Sequence, residues 1–364
     1  MTSSGTILLT GATGLLGRAV LTRLLAAGCR GQVVALVRDP RRASASFAAI
    51  PGSDRVSCVE GDLTRDGLGL SAAQRAMLRG SLRGVVHLAA DTTFSRPLPA
   101  ARAVNTDGTQ RVLALAADCA TPPRLAYVST AFVAGRRTGE IAEAADPGGA
   151  GWVNHYEQSK WEAEQLVRQQ AGAWTVLRCS TVVCDDASGG VTQFNAAHRA
   201  LRLYRDGLAA MMPGVAGSTV DTVTTDYVAS GVAALGLRDD TVGRTLQLCA
   251  GQRALPLEAM LDLCWDHWSR DTAWRRRSIP RPALADLTTY ALFERTIEDT
   301  AEPSLKRVTR ALSHFVPQLA LPKQFATAMT DALLGAVAPD PLTYWPAMLD
   351  HLLRTLWGSV RRAA

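Results

Sequence analysis

Through roughly its first 180 residues the chain repeats one rhythm, a short apolar, often β-branched run followed by an amphipathic helical pattern. The runs fall at Thr6–Thr10, Gln32–Val37, Val56–Glu60, Gly84–Leu88, Leu125–Ser129 and Trp174–Arg178. Helical spacing is read over Gly14–Ala27, with Leu15, Val20, Leu24 and Leu25 on one side, over Ala101–Ala117 and over Val153–Gln170. Strands that are apolar throughout are buried on both faces, which is the signature of a parallel sheet covered by helices. Right-handed crossovers then give a Rossmann-like, doubly wound α/β fold whose ligand lies beyond the carboxyl ends of the strands.

After Cys179 the rhythm loosens. Loops containing Gly and Pro surround one further strand at Thr245–Cys249 and a helix that starts near Pro256. From Arg275 onward the pattern is helical, near Pro282–Thr300, Pro303–Phe315, Lys323–Val337 and Thr343–Val360, with no strand expected. The expected organisation is a dinucleotide-binding core over residues 1–180, a substrate-binding region over 181–274 that returns strands to the core, and a helical C-terminal extension over 275–364. In the last helix Trp345, Met348, Leu349, Leu352, Leu356, Trp357 and Val360 form an apolar stripe followed by Arg361 and Arg362. Packing on neighbouring helices is its ordinary explanation, with peripheral membrane contact or a lid over an acyl channel as the alternatives.

Composition narrows the class. With 47% hydrophobic residues over 364 positions the chain can bury a sizeable core, which excludes a disordered protein. No uncharged apolar stretch is long enough to span a bilayer, and the first residues lack the pattern of a secretory leader. Seven scattered cysteines fit reduced thiols better than disulfides or zinc, so the expected compartment is the cytoplasm and no metal is expected. A net charge of +6 is too small an excess to indicate nucleic acid, and suits an anionic cofactor or an acidic partner. Of 39 basic side chains only Lys160, Lys306 and Lys323 are lysines. A chain that otherwise uses arginine invites a chemical reason for Lys160, because a compact ammonium and a planar guanidinium do different work.

Thr10-Gly11-Ala12-Thr13-Gly14-Leu15-Leu16-Gly17 lies between the first strand and the first helix. Glycines in the spacing G-x-x-G-x-x-G allow a sharp turn and the close approach of a pyrophosphate to the positive end of a helix. The second strand ends Leu36-Val37-Arg38-Asp39. A guanidinium there matches a 2′-phosphate and favours NADPH, whereas a carboxylate would hold a ribose hydroxyl and favour NADH; a slip of one residue reverses the preference. Tyr156 and Lys160 sit four residues apart on one face of a helix, about 6 Å from each other. The ammonium is expected to favour the ionised phenol. Ser129 and Thr130 end a strand at the sheet's carboxyl edge, and either hydroxyl could join Tyr156 in binding a substrate oxygen.

Together the glycine loop, Tyr156-x-x-x-Lys160, the Ser129-Thr130 strand end and His87-Leu88-Ala89-Ala90 resemble an extended short-chain dehydrogenase/reductase. Several segments are more specifically similar to the acyl-thioester reductases, the male-sterility-type family that includes fatty acyl-CoA reductases and carrier-protein reductase domains. They are Leu36-Val37-Arg38, Gly61-Asp62-Leu63, Ala89-Ala90-Asp91-Thr92-Thr93-Phe94, Val128-Ser129-Thr130-Ala131-Phe132-Val133 and Ser159-Lys160-x-x-Ala163-Glu164. The resemblance covers about residues 5–250.

It implies that Thr130 is the catalytic hydroxyl, Tyr156 the proton donor and Lys160 its activator, with Tyr156 and Lys160 also touching the cofactor and Lys160 reaching its ribose hydroxyls. It implies that Gly11, Thr13, Gly14, Leu15, Leu16 and Gly17 hold the pyrophosphate and Arg38 the 2′-phosphate. Asp62 and Leu63 then meet the adenine, and Ala89, Ala90 and Asn105 lie near the ribose and nicotinamide. By residue type alone Asn105 could equally be a helix cap. Cys179 stands where the family usually has proline, on the nicotinamide side. The implied reaction is NADPH-dependent reduction of an acyl thioester, delivered on coenzyme A or a carrier protein, to an aldehyde or on to the alcohol. Two other readings keep the fold: a dehydrogenase or epimerase acting on a nucleotide sugar or steroid-like alcohol, and a non-catalytic dinucleotide sensor. Retention of the Tyr/Lys pair argues against the sensor.

Overall fold

The structure is a computed structural model, and it describes residues 5–27, 31–144 and 148–358. Its centre is a seven-stranded, wholly parallel sheet. In chain order, β1 (Thr6–Thr10) leads into α1 (Leu15–Ala26), β2 (Val33–Val37) into α2 (Pro40–Phe47), and β3 (Val56–Glu60) into α3 (Ala72–Ser81). Next come β4 (Leu82–His87), α4 (Leu98–Asn105), α5 (Asp107–Ala117), β5 (Arg124–Thr130), a short β6 (Gly139–Ile141), α6 (His155–Gln170) and β7 (Ala173–Cys179).

The second half supplies β8 (Thr181–Cys184), α7 (Ala196–Asp206), β9 (Met211–Pro213), β10 (Thr219–Val220), β11 (Thr222–Thr224), α8 (Thr225–Leu235) and β12 (Arg244–Leu248). It ends with β13 (Leu255–Pro256), α9 (Leu257–Ser269), α10 (Thr272–Arg275), β14 (Ala283–Ala285), α11 (Leu287–Thr300), α12 (Pro303–Leu312), β15 (Lys323–Phe325), α13 (Ala328–Leu334) and α14 (Pro341–Arg354). The sheet order is β12-β7-β5-β4-β1-β2-β3. Winding therefore reverses between β1 and β4, the place where a doubly wound sheet opens a ligand crevice.

Both faces of the sheet are buried, as uninterrupted apolar strands require. Val20, Leu21 and Leu24 of α1 pack with Val228 and Val232 of α8 against one face. Val112 and Leu113 of α5 pack with Ala163 and Val167 of α6 against the other. A separate core gathers residues from distant parts of the chain, among them Val183, Leu201, Met260, Trp268, Trp274, Trp345 and Met348. Most of the stripe is spent there: Met348, Leu349 and Leu352 are wholly buried, and Trp345 Nε1 donates to Thr222 Oγ1 at 3.1 Å. The helix expected to run to Val360 ends at Arg354, and Leu356 beyond it is exposed. Val360, Arg361 and Arg362 lie outside the described residues.

Three expectations need correction. The segment after Arg275 does contain strands, since β14 pairs with β9 and β15 with β6; three residues are too few for a periodic signal. The single helix expected over Ala101–Ala117 begins earlier and is divided at Thr106, whose hydroxyl donates to Ser159 O at 3.1 Å. The helix expected from Val153 begins at His155, because Asn154 caps it by accepting from Glu157 N at 3.0 Å. Among the described residues no helix is long and apolar enough to cross a membrane. The described cysteines, Cys58, Cys119, Cys179, Cys184, Cys249 and Cys264, are free, and Cys29 lies outside the described residues.

Candidate active site

The crevice between β1 and β4 is built by the glycine loop. Gly11 follows β1 with φ +72°, and a Cβ there would lie 2.7 Å from Ala89 N. Gly17, in the first turns of α1, leaves a side chain no room, since its Cβ would fall 2.0 Å from Gly11 O. Gly14 caps α1 without a side-chain hydrogen bond, and no acid occupies the first turn. Thr13 and Gly14 are exposed on the loop, and Leu15 and Leu16 are half-buried where the helix starts. The first N–H groups of a helix lack intrahelical partners and carry its positive pole. An anionic pyrophosphate therefore fits this loop, and a glycine-free version could not close against Ala89 and α1.

The β4 side is held by a buried chain. His87 Nδ1 is 2.6 Å from Thr10 Oγ1, His87 Nε2 is 3.0 Å from Thr109 Oγ1, and Ala89 N donates to Thr10 Oγ1 at 3.1 Å. Burial drives His87 down to about 3, so the imidazole is neutral and works as a clamp between β1, β4 and α5. Ala89 and Ala90 are half-buried in the loop that this clamp holds.

Asn105 is not a helix N-cap. It ends α4, donates to Asp91 O at 3.0 Å and Ser159 Oγ at 2.9 Å, and accepts from Asp91 N at 2.8 Å. Its amide thus ties the loop after β4 to α6, the helix that carries Tyr156 and Lys160.

At the other end of the crevice, Arg38 is exposed directly after β2. Asp39 is engaged elsewhere, because its carboxylate accepts from Arg42 N at 3.0 Å and caps α2. Asp62 accepts from Thr64 N and Thr64 Oγ1, both at 2.8 Å. These bonds hold its carboxyl below the usual range, helped by the nearby Arg65 and Arg38 guanidinium groups. Arg38 and Asp62 therefore sit together. Leu63 is buried and supports Gly108 of α5, whose Cβ would meet Leu63 Cβ at 3.0 Å.

Thr130, Tyr156, Lys160 and Cys179 meet at the carboxyl ends of β5 and β7. Strand alternation sends Ser129 and Thr130 to different sides; Ser129 comes close to Glu164 and Thr130 to the Tyr156 phenol, while Thr130 Oγ1 accepts from Phe132 N at 3.2 Å. Thr130 lies in register with Cys179 on β7, whose thiol donates to Ser129 O at 3.3 Å and is pushed by burial to about 11. Lys160 is 2% exposed; its ammonium donates to Val128 O at 2.8 Å and stands 4.2 Å over the Tyr127 ring. Burial lowers Lys160 to about 8. Burial likewise pushes the Tyr156 phenol above its ordinary value. This corrects the expectation that Lys160 lowers it: the ammonium faces Val128 O, and desolvation of the phenolate dominates.

An aromatic wall stands beside Tyr156. Phe94 meets its ring edge-on at 5.4 Å, Phe315 stacks on Phe94 at 5.8 Å, and Phe132 meets Phe315 at 6.2 Å. On one side of this wall is a cavity of about 450 Å³ lined by Phe94, Trp152, His155, Gln158 and His314. On the other is a smaller one, of about 40 Å³, that reaches Asp221, Gln318 and Lys323. Phe315, Gln318 and Lys323 belong to no motif in the sequence. Lysine scarcity, the argument that singled out Lys160, applies equally to Lys323.

The protein family described as male sterility protein matches residues 9–232. Among curated relatives, an isonitrile lipopeptide synthase from Streptomyces coeruleorubidus is 36% identical over 204 residues, covering 51% of this chain and 14% of that protein. A hybrid PKS-NRPS synthetase from Xenoacremonium sinensis is 27% identical over 278 residues, covering 71% of this chain and 7% of that protein. The chain thus spans 14% or less of these relatives. Two solved structures share its fold. The terminal R domain from the myxalamid PKS-NRPS biosynthetic pathway has a TM-score of 0.77 at 24% identity, covering 97% of this chain and 92% of that one. A thiolation-reductase di-domain from an archaeal non-ribosomal peptide synthetase has a TM-score of 0.71 at 19% identity, covering 98% and 77%. With the family match spanning more than half of its length, the chain belongs to the male sterility protein family and carries an NAD-binding domain of the Rossmann-like type.

Proposed function

We propose that this chain is an NADPH-dependent thioester reductase that takes an acyl group from a carrier-protein pantetheine thiol and releases it as an aldehyde. The observation that carries this reading is the convergence of Thr130, Tyr156 and Lys160 at the end of β5, on the same edge of the sheet as the glycine-lined crevice. The names of its relatives support the substrate class, since these are synthetases and one solved neighbour is a thiolation-reductase di-domain. Free thiols suit a cytoplasmic setting.

In this reading Gly11, Thr13, Gly14, Leu15, Leu16 and Gly17 hold the pyrophosphate, Arg38 the 2′-phosphate and Asp62 with Leu63 the adenine. Ala89, Ala90, Asn105 and Cys179 border the ribose and nicotinamide. When bound, the reduced dinucleotide supplies the hydride that turns the thioester carbonyl into an aldehyde with release of the thiol. The chain's own residues manage the oxygen and the proton. Thr130 Oγ1 and the Tyr156 hydroxyl together bind the carbonyl oxygen, where charge develops. Tyr156, kept neutral by burial, carries the proton that this oxygen receives, and as the carbon–sulfur bond breaks the oxygen gives it up and the departing thiol takes it. Lys160 keeps a buried positive charge at the Val128 carbonyl, beside the cofactor ribose. The larger cavity beside Phe94 admits the pantetheine arm.

Mixing the protein with an acyl-loaded carrier and NADPH should release the carrier thiol in step with NADPH consumption and with a trapped aldehyde. NADPH consumption without thiol release would point to a ketone or alcohol substrate instead. Arg38→Ala should raise the Kd for NADPH about 10- to 100-fold, the worth of one charge-assisted phosphate contact, with little change for NADH. Equal losses for both dinucleotides, measured by titration, would remove Arg38 from the 2′-phosphate.

A further inference from the structure

The smaller cavity lies past Phe132 and Phe315, and its wall includes Asp221, Gln318 and Lys323. It adjoins the reaction centre, since its wall residues Ser180 and Thr181 follow Cys179 and Phe132 lies two residues beyond Thr130. Its volume of about 40 Å³ is room for a few waters or one small polar group.

Lys323, on β15, is 7% exposed, yet among the described residues its ammonium donates to Gln318 Oε1 alone. An ammonium has three N–H donors, and leaving donors buried without acceptors is unfavourable. Gln318 cannot turn to offer more. Its Nε2 donates to Glu157 Oε1 at 2.6 Å, and Glu157 also accepts from Asn154 Nδ2 at 3.1 Å and Val153 N at 2.9 Å. The side-chain amide is thereby fixed with its oxygen toward Lys323.

Asp221 stands on the same wall and accepts from Ala250 N at 2.8 Å and Gly251 N at 2.9 Å, one bond to each oxygen. Ser180 on the same wall also stands close to it, and a carboxylate with about four acceptor sites still has capacity left. Among the described residues no ion pair joins Asp221 to Lys323. The wall therefore presents a donor and an acceptor that do not consume each other. Glu157 and Arg136 act on Lys323 without lining the cavity, so the wall itself carries one acid and one base, Asp221 and Lys323. A neutral ligand suits that balance better than a carboxylate or an amine.

We propose that Lys323 and Asp221 form a specificity subsite that reads an amide in the acyl chain, Lys323 Nζ donating to the amide carbonyl and Asp221 accepting from the amide N–H. The proposal rests on the thioester-reductase reading. A plain hydrocarbon chain leaves the remaining Lys323 donors and Asp221 acceptor sites without partners and is disfavoured.

The test uses unreactive pantetheine thioethers bound to the intact chain by calorimetry: one with an amide in the acyl chain, one with a hydrocarbon of the same length, and one with an ester replacing the amide. The amide analogue should bind about 10-fold or more tighter than the hydrocarbon, as hydrogen bonds to charged groups allow. The ester, lacking only the N–H, should bind more weakly than the amide. In Lys323→Met the preference for amide over hydrocarbon should collapse while the hydrocarbon affinity stays. Equal binding of amide and hydrocarbon by the unaltered protein overturns the subsite. So does a Lys323→Met variant that loses both alike, which is what a merely structural lysine would do. If that variant does not fold, the three-analogue comparison on the unaltered protein decides. Reduction of the matching thioesters is assayed separately. No reduction with the binding preference intact overturns the reductase reading and leaves the subsite, and reduction without any preference does the reverse.

Discussion

Replacing Tyr156 with Phe should lower kcat by about 10²- to 10⁴-fold, the usual worth of a positioned proton donor, and leave dinucleotide binding in place. The ring is 9% exposed and packs edge-on against Phe94, so Phe retains that contact and removes only the hydroxyl. That hydroxyl lies beside Thr130 at the end of β5. The measurement pairs turnover of a loaded carrier with a separate dinucleotide titration. Full turnover in Tyr156→Phe would remove the phenol from the chemistry. Loss of dinucleotide binding along with turnover would recast it as a packing residue.

A large loss of stability is expected from Arg178→Met. The Arg178 guanidinium meets Glu164 in a two-point contact, Nε to Oε1 at 3.0 Å and Nη2 to Oε2 at 2.7 Å. The two side chains are 1% and 0% exposed. Burial pulls Glu164 upward, but Arg178 outweighs it and holds the carboxyl below its usual value. Removing one partner leaves a buried carboxylate with Ser129 nearby and the longer contact to Arg168 at 3.3 Å. The expected cost is about 3–5 kcal/mol, read as a lower denaturant midpoint. Exchanging both partners, Arg178→Met with Glu164→Leu, should recover most of it, because replacing a buried pair with apolar side chains is often neutral. A single variant as stable as the unaltered protein would show that the pair carries no stability. The contact also fixes α6 on β7, and α6 carries Tyr156 and Lys160.

The sheet was legible because its strands are apolar on both faces, a pattern that Leu8, Leu9, Val34 and Ala35 meet by being buried. The glycine loop was legible because closure against Ala89 forbids any other residue type at Gly11. Finer questions turned on tertiary contacts. Spacing left Ser129 and Thr130 equivalent, and only the α6 side chains they meet, Glu164 for Ser129 and Tyr156 for Thr130, tell them apart. Arg38 and Asp39 were separated by the end of β2 and by the Asp39 cap on α2. The direction in which Tyr156 shifts was misread, because i,i+4 spacing reports proximity and says nothing of desolvation. Phe315 and Lys323 reach the site from far along the chain, through β15 and the turn before it, elements too short to leave a period.

The central claim is that hydride passes from NADPH to a thioester carbon on this chain. Supplying NADPH deuterated on the transferring face, together with a carrier-bound thioester, and analysing the trapped aldehyde by mass spectrometry tests it most directly. Deuterium at the aldehyde carbon, with one free carrier thiol per NADPH consumed, is the expected result. An unlabelled aldehyde, or thiol release that proceeds without NADPH, would contradict it.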